Sequence, residues 1–128
     1  MALKLTGMDR EFVADQFLTC SLRSMRTGDA QYACVLDSKG LILDDAFVWL
    51  EDTAVNVLTS GCQSKQLVDY LGQYVVYVRR SGADVAMSVS HHSTIALQGP
   101  KAREALMSAL GRLPDLRLQT LSTEALLQ

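Results

Sequence analysis

Two adjacent carboxylates, Asp44 and Asp45, stand in the middle of the run LILDDAFVWL. In a strand, successive side chains point to opposite faces. Leu41, Leu43, Asp45, Phe47 and Trp49 would then share one face, and Ile42, Asp44, Ala46, Val48 and Leu50 the other. Each face is apolar except for one carboxylate, placed away from the nearest turn. A lone carboxylate among apolar side chains carries a heavy desolvation cost or shifts its pKa upward. Such a group is expected to face a cleft, where it can orient a donor, move a proton or balance a developing positive charge. The alternative is that both acids cap or pair near solvent at a strand end, since perturbed acids are also found in purely structural roles. The pair by itself names no reaction.

The element that must position the pair is a hairpin within Gly28 to Asp45. Tyr32, Ala33, Cys34, Val35 and Leu36 precede Asp37-Ser38-Lys39-Gly40, and Leu41, Ile42 and Leu43 follow. Asp and Ser can bond the turn backbone, and Gly takes a positive φ without a Cβ clash. Strands are expected near 30–36 and 41–50, and Ala54 to Thr59 (AVNVLT) reads as a third consecutive strand. Before them, Leu3 to Leu5 is a short strand, and Asp9 is a candidate N-cap for a helix over about 9–22. After them, Ser60-Gly61 opens a helix in which Leu67, Tyr70, Leu71, Tyr74, Val75 and Val78 form one stripe. The two tyrosines there read as the edge of the core.

Val85, Met87 and Val89 alternate as a strand, Thr94 to Leu97 reads as another, and Gly99-Pro100 starts a last helix. Its expected buried stripe is Ala102, Ala105, Leu106, Ala109 and Leu110, ended by Gly111. The tail from Pro114 has no single period. The order β-α-β-β-β-α-β-β-α predicts an α+β fold, an antiparallel sheet with helices on one face and split-βαβ (ferredoxin-like) character. One domain over residues 1–128 is expected, with 112–128 a tail of undefined structure.

Other constellations carry less. His91-His92 would point to opposite sides of a strand, and no His-x-His or helical i, i+4 pair accompanies them, so a solvated loop is expected and no metal site. No phosphate loop or GxGxxG occurs. Cys20, Cys34 and Cys62 are an odd count without CxxC spacing, which argues against a disulfide framework and for small buried side chains in a reducing compartment. Of the 128 residues, 48% are hydrophobic and 20% charged, a globular composition. The formal net charge of −2, without a Lys/Arg block, gives no support for a nucleic-acid or anionic-membrane partner. No apolar run approaches the roughly 18–20 residues of a membrane helix, and the start shows no targeting segment.

Several segments together resemble one family. GDAQYACVLDSKGLILDDAFV resembles the G-x-x-x-Y-x-x-x-L-N/D-x-x-G-G-x-x-D-D-x-x-V block of aminomethyltransferases, the T-protein of the glycine cleavage system. TSGCQSKQL is similar to the family's N-A-x-x-x-x-K-D-x segment, IALQGPKAREAL to its A-L/V-Q-G-P-x-A-x-x-x-L signature, and LTGMDREFVADQF to its G-x-D segment after a strand. The resemblance covers residues 3 to about 111 in order.

The resemblance implies a tetrahydrofolate-dependent transfer. The aminomethyl group arrives on the lipoyl arm of H-protein, ammonia is released and 5,10-methylenetetrahydrofolate forms. The second Asp of the family's D-D pair falls at Asp45, which would be the catalytic and pterin-side residue, with Asp44 its supporting neighbour. Tyr32 and Val57 fall where the family lines the folate pocket through main chain and apolar contact. The family's pterin-contacting Asn aligns at Thr59, whose single hydroxyl cannot both donate and accept as an amide does. Leu41 stands in place of the turn's second Gly. Full family members are several-fold longer, so two expectations stand: a fragment or split form of the transferase, or a catalytically silent relative serving as a binding or scaffold module. Either implies missing partner domains or self-association. The implied compartment is the mitochondrial matrix in a eukaryote and the cytoplasm otherwise.

Overall fold

Alternation in the strand sequences is realised as a sheet with one buried and one open face. The structure, a computed structural model, describes residues 1–60, 64–90 and 97–111. Five strands, β1 (Ala2–Thr6), β2 (Ala30–Leu36), β3 (Ile42–Glu51), β4 (Ala54–Thr59) and β5 (Ala86–Ser90), pair antiparallel in the order β2-β3-β4-β1-β5. Helices α1 (Arg10–Asp15), α2 (Ser64–Arg80) and α3 (Ala102–Leu110) and a short 3₁₀ turn (Leu22–Ser24) complete the described elements.

Because β4 runs against both β1 and β3, β1 and β3 are parallel with β4 between them. By the same logic β4 and β5 are parallel with β1 between them. These two interleaved split-βαβ units are the expected ferredoxin-like arrangement, with β2 added at an edge. Leu3, Leu5, Val35, Val48, Val55 and Val57 form the inner face, and Val13, Ala14, Leu67, Leu71 and Val75 of α1 and α2 pack into the same core. The hairpin turn behaves as its residues predict. The Asp37 carboxylate accepts from Lys39 N–H (2.8 Å) and Leu41 N–H (2.9 Å), and Gly40 has φ +80°. Tyr70 and Tyr74 sit at the core edge, Tyr74 in an edge-on contact with Phe17 at 6.3 Å.

Four expectations change. The first helix stops at Asp15 instead of continuing to residue 22. Beyond it, Leu36 N–H donates to Phe17 C=O (2.8 Å) and Thr19 N–H to Cys34 C=O (3.0 Å), so the chain is drawn along β2 and its polar groups are satisfied there. Asp9 makes no side-chain cap; its carboxylate instead accepts Asp84 N–H at 2.8 Å. The α3 stripe is not buried, because none of the described elements packs substantially against it. Cys20 and Cys34 are free and only partly buried. The Thr94–Leu97 strand (Leu97 itself lies outside any strand), His91-His92, Cys62, the Gly61 end of the second helix and the tail fall largely or wholly outside the described residues.

Candidate functional site

The strict alternation of β3 sends the two aspartates to opposite sides. Asp44, Ala46, Val48 and Leu50 are buried toward the helices, while Asp45, Phe47 and Trp49 face the open side. On that side Tyr32 stands opposite Phe47 in the β2–β3 register, and Cys34 stands opposite Asp45. Tyr32 therefore lies diagonally across from Asp45, within reach of a long side chain. Its hydroxyl donates to Asp45 Oδ2 at 2.7 Å. The Tyr32 and Phe47 rings meet edge-on, 5.3 Å apart at 66°. Beside them a shallow hollow of about 450 Å³ is lined by Met1, Asp45, Ala46, Phe47, Leu58, Thr59 and Ser60. That volume is within the range of small-molecule sites, roughly 300–1,000 Å³.

The electrostatics are not those of a desolvated acid. Asp45 is partly exposed, and the Tyr32 hydrogen bond holds its carboxyl below the ordinary range. The upward shift expected from an apolar surround is overturned because the open face leaves the carboxylate solvated and Tyr32 bonds its charged form. The same bond raises the Tyr32 pKa, since losing that proton would leave a phenolate facing a carboxylate. Among the described residues no cation pairs with Asp45; the ion pairs are Lys4–Glu51 and Arg10–Glu11. Asp45 is thus an ionised acceptor at neutral pH, at the edge of a hollow.

Linkage fixes the signs. Tyr32's raised pKa contributes stability below about pH 10, lost as pH climbs through the raised value. Asp45's depressed pKa contributes stability above about pH 4, lost as pH falls through the lowered value. Burial also raises the Tyr74 pKa, so an absorbance titration at alkaline pH is expected to show two tyrosines with high midpoints; the Tyr32 component disappears in Tyr32→Phe and moves toward the ordinary value in Asp45→Asn. An Asp45→Asn profile superimposing on wild type would rule out the pairing.

Behind the sheet, Asp44 Oδ1 accepts from Ser60 Oγ and from Asp45 N–H (2.9 Å), while its buried Oδ2 has no partner. The four residues singled out by sequence do not form one cluster. Asp45 and Tyr32 are joined on the open face. Val57 pairs with Val48 and Thr59 with Ala46, so both side chains turn to the helix side. Val57 is fully buried in the core, away from the hollow. Thr59 helps wall the hollow at the strand end, but its buried Oγ1 has no hydrogen-bond partner. Phe47 and Ser60 were not singled out. Phe47 was legible as Asp45's neighbour on one face; Ser60 depends on the β3–β4 register. Among the described residues no group of three His, Cys, Asp or Glu side chains could hold a metal ion, and no helix is long and apolar enough to cross a membrane.

Human mitochondrial aminomethyltransferase is 28% identical to this chain over 127 residues, which is 98% of this chain and 31% of the human protein. The probable aminomethyltransferase of Natronomonas pharaonis is 27% identical over 107 residues, 83% of this chain and 30% of that one. The crystal structure of glycine cleavage system aminomethyltransferase T from Bartonella henselae shares the fold. Its TM-score is 0.65 at 19% identity, over 88% of this chain and 30% of that chain. The chain thus spans about a third of the length of these relatives. The family model described as the GCVT N-terminal domain matches residues 1–123, a range that includes every strand and helix built above, and the chain belongs to that family.

Proposed function

We propose that this chain supplies the Asp45-bearing wall of a tetrahydrofolate site and takes part in aminomethyl transfer from a lipoyl-bearing H-protein, as in glycine cleavage. The observation that carries the reading is the Asp45 carboxylate. It is ionised and unpaired with any described cation, and Tyr32 holds it beside a hollow walled by Phe47, Leu58 and Met1. A flat heterocycle with N–H donors suits that chemistry: aromatic and aliphatic faces to stack on, and a carboxylate to receive the donors. Tetrahydrofolate, when bound, supplies the nitrogens that take up the one-carbon unit. Asp45 orients the reacting amine and balances positive charge developing on the transferred carbon. Tyr32, by occupying Oδ2, limits the rotamers of Asp45 and leaves Oδ1 toward the ligand. In a eukaryote the compartment would be the mitochondrial matrix, otherwise the cytoplasm.

A second reading, a catalytically silent binding or scaffold module, is favoured by Thr59. Thr59 borders the hollow at the strand end, but its side chain turns toward the helices and its single hydroxyl cannot both donate and accept as an amide does. Calorimetric titration of the chain with tetrahydrofolate separates the two. Saturable binding with Kd below about 1 mM supports the first reading; binding that is absent, or equally weak in Asp45→Asn, supports the second.

The open sheet face also leaves Tyr32 51% and Phe47 56% exposed, the kind of apolar surface that seeks a cover. Self-association, or docking of further domain structure, would bury it. Sedimentation velocity at rising concentration is expected to show a growing mean mass; a strictly monomeric profile would count against a second copy as the cover.

A further inference from the structure

We propose that Asp44 and Ser60 form a positioning clamp at the end of the β3–β4 ladder that fixes the direction in which Asp45 presents its carboxylate. Its functional meaning rests on reading the hollow as a folate site, but the clamp can be tested without a ligand.

The β3–β4 ladder ends at the pair Ala46↔Thr59, so Asp45 lies one residue past the last paired position. Ser60 N–H reaches Asp45 C=O at 3.3 Å, which shows that the polar groups of residue 45 point toward β4 and away from β2. The Asp45 N–H therefore faces the end of β4, where the ladder has ended and Asp44 Oδ1 takes its proton in place of a strand carbonyl. A partly buried strand amide is costly to leave unpaired. That bond is 2.9 Å long, and Asp44 Oδ1 also accepts Ser60 Oγ–H. The peptide preceding the Asp45 side chain is thus held by a side chain instead of a strand.

Two holds then act on one residue. Tyr32 fixes the carboxylate on the open side, and the Asp44–Ser60 pair fixes the peptide it hangs from. Asp44 is 8% exposed and touches no part of the hollow, so it acts through Asp45 and is a positioning residue. Ser60 is exposed at the rim of the hollow and lies outside the core, so its hydroxyl can be removed with little effect on packing.

Ser60→Ala deletes one arm of the clamp and Ser60→Thr keeps the hydroxyl. In the 128-residue chain, Ser60→Ala is expected to speed hydrogen exchange at the Asp45 amide and to move the Tyr32 midpoint toward its ordinary value. Because Ser60 also lines the hollow, tetrahydrofolate binding weakened by roughly tenfold is expected from either a direct or a positioning role, and exchange and titration carry the test. Ser60→Thr should retain all three properties. A role confined to stability would lower the melting temperature while leaving the Tyr32 midpoint in place. Unchanged exchange and an unchanged midpoint in Ser60→Ala would overturn the clamp. A wild-type chain that fails to bind tetrahydrofolate would sink the functional reading alone, because exchange and titration still decide the clamp.

Discussion

Asp45→Asn is expected to lower the affinity of the chain for tetrahydrofolate by about 10- to 100-fold, the usual effect of removing a charged hydrogen-bond acceptor from a donor-bearing ligand. The substitution is nearly isosteric. An amide oxygen can still accept the Tyr32 hydroxyl that now bonds Oδ2 at 2.7 Å, so the rotamer and the wall of the hollow should survive. What disappears is the negative charge, which no described cation neutralises. In an assembled transferase the loss should be larger, about 10²–10³-fold in the transfer step, because charge on the transferred carbon develops toward the transition state. Calorimetry on the chain and single-turnover transfer in a reconstituted system measure the two effects separately. Equal affinity for the wild-type and Asn forms would leave Asp45 without the role assigned to it.

The second large effect is on stability and comes from the opposite end of the sheet. Gly7, directly after β1, has φ +104° and lies against the backbone of Asp84. A Cβ added there would sit 2.8 Å from the Asp84 carbonyl carbon, too close for real atoms. The approach is held by a set of hydrogen bonds. Asp9 N–H donates to Asp84 C=O (3.0 Å), Met8 N–H to the Asp84 carboxylate (2.9 Å), and Asp84 N–H to the Asp9 carboxylate (2.8 Å). Gly7→Ala must therefore strain the backbone and also push this clasp apart, at a cost of about 3–5 kcal/mol. Gly82 is the control. Its φ is +100° with nothing within 4 Å of an added Cβ, so Gly82→Ala should cost only the conformational part, about 1–2 kcal/mol. Chemical denaturation of the two variants checks the difference; equal losses would mean that the contact with Asp84 contributes nothing.

Local features of the sequence carried over because they depend on neighbours along the chain. The Asp-Ser-Lys-Gly turn encodes its own hydrogen bonds, and the period of two in β3 sets Asp44 and Asp45 on opposite faces whatever pairs with them. The stripe of α2 likewise states which side is buried before anything is there to cover it. Failures came where distant segments compete for the same backbone groups. Residues 17–19 have enough helical spacing to continue α1, yet the open edge of β2 offers partners for Phe17 C=O and Thr19 N–H, and the helix ends early.

The sequence by itself determined the sheet-and-helix alternation, the hairpin and the two-sided placement of the acidic pair, because each follows from a period or a turn within a few residues. Only the tertiary structure decided which groups meet at Asp45. AVNVLT is buried on both faces, so its composition does not say which way Val57 and Thr59 turn. The β3–β4 register sends both toward the helices and sets Ser60 beside Asp44. That register is a long-range choice, made by packing the whole inner face against α1 and α2, and no local pattern contains it.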